Sequence, residues 1–335
     1  MSKRAIIGLD VGGTKTFAVL FDDKCVVIDK RRFKTEPASG DRVFEKRLSR
    51  AIAELIETAR ARNKKVVATG IGCSGSVDFD STELRISPHI PFLKNFDLAQ
   101  KMQKWTKSPV YLGNDVQMGL YGEQQLGAAR GFQHVIGVFI GTGIGGALIL
   151  DGKLHRGANG VAGDIGHYLV QPLGTLGGNE RQGVLDNVAS RTAIAAEAAV
   201  YASRQWAPNL LKAAGTDLSE IRSKTLARAI EAGDKQIEKL VLSRSRLLGI
   251  VLSNLVDFLN PDGVLLGGGL VEEMPSLVLK GVSAGIEEYS SPAAFKKLKV
   301  VTTKLKEYAV ATGAAKMAWD TFITKNKRRD PDSKR

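Results

Sequence analysis

Two segments of this chain repeat one pattern, and the repeat limits the possible folds more than any other feature. "GLDVGGTKTFAVLFDDK" begins at Gly8, and "GVFIGTGIGGALILDGK" begins at Gly137. Set side by side without gaps, Gly8 meets Gly137, Gly12 meets Gly141, Ala18 meets Ala147, Asp22 meets Asp151 and Lys24 meets Lys153. Each segment is an apolar strand, a tight glycine turn and a second apolar strand ending in a polar turn, which is the pattern of a β-hairpin. The plain alternative is that any two glycine-turn hairpins look alike. The stronger reading is an internal duplication, with two similar lobes each offering a glycine turn to one shared ligand.

The remaining chain alternates strands and helices. Residues 41–62 carry a helical stripe through Val43, Leu48, Ile52, Leu55, Ile56 and Ala59. "KKVVATGIGC" and "SPVYLGN" read as strands, the second followed by a helix from about Asp115 to Ala129. An irregular glycine-rich stretch covers 152–184, and helices dominate from Asp186 to Leu259. "DGVLLGG" is a strand, a helix runs from Val271 to about Glu288, "KLKVVTT" is the last strand, and a final helix starts near Glu307. The class is α/β with mixed sheets and helical cover.

At 335 residues the chain is long enough for two lobes, and its 43% hydrophobic content allows a proper core. No apolar run approaches the roughly 18 residues of a membrane span, and no signal peptide is evident. Cys25 and Cys73 stand far apart in sequence, which suits a reducing cytoplasm. The net charge of +13 raises the question of nucleic acid. The basic residues are scattered, however, except in "KNKRRDPDSKR", which has no apolar residue and reads as disordered. A solvated basic surface that favours anionic substrates is the expectation, with no nucleic-acid and no membrane partner.

"GTGIGG" at Gly141–Gly146 matches the dinucleotide fingerprint, but that motif must open a helix. Here "ALILDGKLH" follows, a strand and a turn, so the NAD oxidoreductase reading is set aside. What survives is a glycine turn with Thr142, whose amides can approach phosphate. Gly12, Gly13, Thr14 and Lys15 form the matching turn, with a hydroxyl and an ammonium beside exposed amides.

Asp10 is out of place next to a phosphate loop unless a cation comes with the phosphate. A nucleoside triphosphate brings Mg²⁺, which accepts one or two protein carboxylates and keeps several waters. Asp10 is then a Mg²⁺ residue acting through water; its alternative role is to cap the turn. In "YLGNDVQMG", Asn114 and Asp115 fall where a strand becomes a helix. Asp115 is either the base that takes a hydroxyl proton during phosphoryl transfer or a helix N-cap. Asp164, His167 and Asp186 stand among glycines, an arrangement suited to several sugar hydroxyls. Gly268 and Gly269 either let a flat ligand lie on backbone or serve tight helix–strand packing.

Over about residues 4–320 the chain resembles the ROK family of sugar kinases and repressors, within the actin-like, hexokinase-like ATPase superfamily. "GLDVGGTKT", "GNDVQMGLYGE", "GTGIGGALILDGKLHRGANGVAGDIGH" and "NPDGVLLGGGL" carry the resemblance. It implies a two-lobed, ribonuclease H-like fold that closes around ATP and a hexose, glucose first. It implies Asp115 as catalytic base, with phosphates held by Gly12–Lys15 and by Gly141, Thr142 and Gly143. Gly268 and Gly269 would lie near adenosine, and Asn114, His167 and Gly75 at the sugar. The expected small lobe is 1–118, completed by helix 307–325. The large lobe is 119–306, and 326–335 is a disordered basic tail. A homodimer is expected.

The chain departs from the family at three places. The family's zinc-binding cysteines are missing from "GTLGGNERQGVLD", so no zinc is expected. Asp164 and Asp186 stand where Glu is usual, and His89 stands where a sugar-contacting Asn is common. These changes surround the sugar, so another hexose (fructose, mannose, allose or an N-acetylhexosamine) is the alternative substrate. With only a few residues before Ile6, the helix-turn-helix of the family's repressors is not expected, although a sugar-sensing regulator without catalysis stays open.

Overall fold

The computed structural model describes residues 3–78, 83–87, 90–174 and 181–329. The elements in order are β1 (Arg4–Val11), β2 (Lys15–Asp22), β3 (Val27–Lys34), α1 (Gly40–Ala61), β4 (Lys65–Cys73), β5 (Ser76–Asp78), β6 (Glu83–Ile86), α2 (Leu98–Thr106), β7 (Val110–Asn114) and α3 (Asp115–Leu126). There follow β8 (Val135–Ile140), β9 (Ile144–Leu150), β10 (Lys153–His155), α4 (Asp186–Ala189), α5 (Arg191–Ser203), α6 (Pro208–Ala214), α7 (Ser223–Glu231) and α8 (Lys235–Leu259). The last are β11 (Gly263–Gly267), α9 (Gly269–Glu273), α10 (Pro275–Tyr289), α11 (Pro292–Phe295), β12 (Lys299–Thr302) and α12 (Ala309–Arg329).

Two compact units result. The first comprises 1–131, 156–162 and 307–335, and the second 132–155 and 163–306. Their sheets have the same topology: β3-β2-β1-β4-β7 in one and β10-β9-β8-β11-β12 in the other. In each, a hairpin and a third antiparallel strand precede two parallel strands. The duplication in the sequence is therefore a duplication of sheets, with one correction. Gly8 pairs with Val19, whereas Gly137 pairs with Ala147. The second turn is one residue tighter, so Ala147 occupies the register position of Val19 and not, as the ungapped match has it, that of Ala18.

In the first unit, Phe44, Leu48, Ile52 and Leu55 of α1 bury against Leu9, Leu20 and Ile71 on one face of the sheet. The sequence stripe is buried through Leu48, Ile52, Leu55 and Ala59 and differs only at its start, where Phe44 is enclosed and Val43 is 38% exposed. The other face takes α12 through Ala311, Ala315 and Ala318. Approach there is close. A Cβ on Gly8 would lie 2.0 Å from the Ala311 carbonyl oxygen, and one on Gly70 1.9 Å from that of Ala314. Only glycine on the strands and alanine on the helix allow that spacing.

In the second unit, α5, α8 and α10 bury Ile194, Ala198, Leu248, Leu252 and Val282 with Val138, Val264 and Leu266. The helix expected over Val271–Glu288 is two helices, α9 and α10, broken at Met274 ahead of Pro275. Proline lacks the N–H needed to continue α9 but suits the first turn of α10. α12 extends to Arg329, into the segment expected as tail. Residues 330–335 lie outside the described residues, as do His89 and 175–180 of the zinc-motif stretch.

Candidate active site

In the first unit the carboxyl ends of β1, β4 and β7 bring Asp10, Gly75, Asn114 and Asp115 to one edge of the sheet, where open α/β sheets hold ligands. Strand β1 runs parallel to β4, and β4 to β7, with Asp10 opposite Gly72 and Cys73 opposite Asn114. The turn 12–15 is clamped by Thr35. Its hydroxyl donates to the Gly12 carbonyl at 2.6 Å, and its amide to the Thr14 carbonyl at 3.0 Å. The Gly12 amide is used within the turn, donating to Lys15 O at 3.1 Å. Among the described residues no protein acceptor takes the amides of Gly13 or Thr14, and Thr14 and Lys15 are exposed.

The helix cap falls to Asn114, not to Asp115. Asn114 has extended backbone, and its Oδ1 accepts from the Gln117 amide at 3.1 Å. Its Nδ2 donates to Gly75 O at 3.0 Å, tying the "CSGSVD" loop to the start of α3. Asp115 is the first residue of α3, and its Oδ1 accepts from the Val116 amide at 2.9 Å. Asp10 is not a simple turn cap either. Burial first, and then the charge of Asp115, raise its pKa to about 7, against the opposing pull of Lys15 and Arg32. Asp10, whose ionisation the charge of Asp115 disfavours, and Asp115 itself, beside a lysine-bearing turn, form a hard oxygen donor set suited to a hydrated Mg²⁺.

Two contributors escaped the sequence reading. Arg32, on β3, stacks over Phe17 and pairs with Glu307 at 2.6 Å. Gln117, buried in α3, donates through Nε2 to Gly160 O at 2.8 Å and so anchors the loop 156–162 within the first unit. Gln117 is only two residues beyond Asp115, but nothing local signals a partner so far along the chain.

The second unit holds the other predicted residues. Gly141 donates its amide to Gly143 O at 2.8 Å, closing the tight turn. Asp186 Oδ1 accepts from the Ile144 amide at 2.6 Å, and a Cβ on Gly143 would lie 2.9 Å from that oxygen. Asp186 is thus engaged with the phosphate-loop candidate. Asp164 and His167 are neighbours, with Oδ2 and Nε2 3.5 Å apart, and both are exposed. The half of the Asp164 side chain that is covered from water raises its pKa against the pull of His167 and Arg181. Gly268, at φ 88°, packs on the end of β8, where a Cβ would lie 2.5 Å from Ile140 O. Gly268 and Gly269 therefore adjoin the second turn. Close packing accounts for Gly268; Gly269 has only Ser223 Oγ within reach of a Cβ, at 3.6 Å.

Paired sheets of this topology, each led by a glycine-turn hairpin, define the actin-like ATPase fold. The chain belongs to the ROK family, whose model matches residues 6–321. It is 29% identical over 319 residues to a glucokinase of Thermotoga maritima, covering 94% of this chain and 97% of that protein. It is 26% identical over 311 residues to the DNA-binding transcriptional dual regulator NagC of Escherichia coli, covering 92% of this chain and 73% of the regulator. A crystal structure of a ROK family glucokinase from Streptomyces griseus, in complex with glucose and AMPPNP, superposes with a TM-score of 0.81 at 28% identity. That match covers 94% of this chain and 99% of the other. No helix among the described residues is long and apolar enough to cross a membrane.

Proposed function

We propose that this protein is an ATP-dependent sugar kinase that phosphorylates a hexose hydroxyl, glucose being the first candidate. The observation that carries the reading is the Asp10–Asp115 pair at the strand ends beside the Gly12–Lys15 turn. Similarity to the Thermotoga and Streptomyces glucokinases supports it.

In this reading Asp115 accepts the proton of the attacking sugar hydroxyl. Its place at the start of α3, fixed by the Asn114 cap, holds the carboxylate at the sheet edge. Lys15 and the amides of Gly13 and Thr14 stabilise charge on the phosphoryl oxygens. Magnesium, when bound with the donor, would neutralise phosphate charge, with Asp10 holding it through water. Within the first unit Asn114 orders the Gly75 loop for sugar contacts, and within the second Asp164 and His167 are the hydroxyl-binding candidates. The cytoplasm is supported by two free thiols, Cys25 and Cys73, and a homodimer by the family resemblance.

The likeness to NagC favours one rival, a regulator that binds sugar without turnover. A coupled assay of ADP release across a panel of hexoses and N-acetylhexosamines separates the two. ADP formed with one sugar, and lost in Asp115→Asn, supports the kinase. Sugar binding with no ADP from any panel member overturns it.

A further inference from the structure

The turn 141–143 is bordered by positive charge that its backbone does not need. Arg191 opens α5, and its amide donates to Gly141 O at 3.0 Å. Its Nη2 donates to Thr142 Oγ1 at 3.1 Å and its Nη1 to Ile221 O at 3.5 Å. The Thr192 hydroxyl donates to Thr142 O at 2.7 Å, fastening the same turn from the next residue. A guanidinium has five N–H donors, so these bonds leave capacity for an incoming acceptor.

Arg222 stands next to Ile221, at the start of α7. Burial, and then the charge of Arg222, lower the pKa of Arg191. Among the described residues no carboxylate forms an ion pair with Arg191. Arg222 is loosely paired and exposed, with Nη2 3.8 Å from Glu220 Oε1, while its Nε donates to Ser219 O at 3.0 Å. Asp186, the acid at the turn, is engaged by the Ile144 amide. Two guanidinium groups, one of them half-buried with no ion-pairing carboxylate among the described residues, make a positive region that an anion would relieve. Ser223 continues the same surface toward Gly269.

We infer that Arg191 and Arg222 bind the phosphate chain of the phosphoryl donor, with Arg191 the donor-specificity residue of the second unit. The inference rests on the kinase reading above. The ligand chemistry is an oligophosphate chain, carried by a nucleoside triphosphate or free as inorganic polyphosphate. Arg191 meets it with fixed geometry, because Thr142 and Ile221 hold its guanidinium in place. Arg222, more exposed, adds charge.

The test is calorimetric binding of adenosine, ADP, ATP and tripolyphosphate to the wild type and to Arg191→Ala, Arg191→Lys, Arg222→Ala and Thr142→Val. Loss of a charge-assisted contact in Arg191→Ala is expected to weaken ADP and ATP about 10- to 100-fold and leave adenosine unchanged. Arg191→Lys should recover part of the loss. Thr142→Val, which cuts the tether but keeps the charge, should cost about 3-fold or less. Arg222→Ala, an exposed change, should weaken ATP more than adenosine. Tripolyphosphate that competes with ATP assigns free polyphosphate as a second source; failure to compete restricts the chain to nucleotides. Equal weakening of adenosine and ATP, or unchanged ATP affinity in both Arg191 variants, overturns the inference and leaves the kinase reading intact. A wild type that binds neither ATP nor tripolyphosphate overturns both.

Discussion

Replacing Asp10 with Asn should make the ligand-free protein more stable above neutral pH. Asp10 holds its proton in the fold up to about pH 7, raised from 3.8 by burial and by Asp115. The unfolded chain releases that proton near pH 4. Between those values the native state binds more protons than the unfolded state, so stability falls as pH rises through the window. At roughly 1.4 kcal/mol per pH unit, the full effect has an upper bound of about 4 kcal/mol. About 2 to 3 kcal/mol of this should fall between pH 5 and pH 8, less where water reaches the edge of the side chain. Asn keeps the shape and has nothing to ionise. Urea denaturation of both proteins at pH 5, 6, 7 and 8, without nucleotide or metal, measures the difference directly, since shared titrations cancel. Curves that stay parallel across the range would mean that Asp10 ionises normally, and the account of the carboxylate pair would fail. The same variant should lose turnover, because the strained charge is the one proposed to serve the donor.

Other expectations are equally specific. Asp115→Asn should lower kcat by about 10² or more while sugar affinity, read by calorimetry, changes little. Gly70→Ala places a methyl 1.9 Å from Ala314 O and should cost several kcal/mol, about 3 or more, or abolish soluble expression. Asp186→Ala removes the acceptor of the Ile144 amide and should cost about 1 to 3 kcal/mol, with a raised KM for ATP and an unchanged KM for sugar.

The sequence was most legible where one physical signal dominated. Apolar runs beside glycine turns revealed β1, β2, β8 and β9, because a buried hairpin needs both. β3 escaped notice because "VIDKRRFK" is an edge strand, whose charges face water, so its composition mimics a loop. Arg32 was missed with it. The extra residue of the first turn was hidden because identical residues aligned without a gap; only the strand register exposes it. The site residues were recognisable by type, but their partners were not. Asn114 as cap can be read from a four-residue window, and it displaces the alternative of Asp115 as cap. Asp186 is recognisable as a sugar-contact candidate by type, but its bond to Ile144 spans 42 residues, and no local pattern encodes such a distance. Arg191 had no motif to mark it; its importance comes from a turn and a carbonyl brought to it by folding.

The closeness of α12 to Gly8 and Gly70 has a consequence for synthesis. The first sheet emerges from the ribosome early, but the helix that covers one of its faces comes only after the whole of 163–306 has been translated. At roughly 5–20 residues per second, that apolar face stays uncovered for many seconds. The nascent protein must therefore shield a five-stranded sheet whose strands are all made but whose one face stays bare until the last helix arrives.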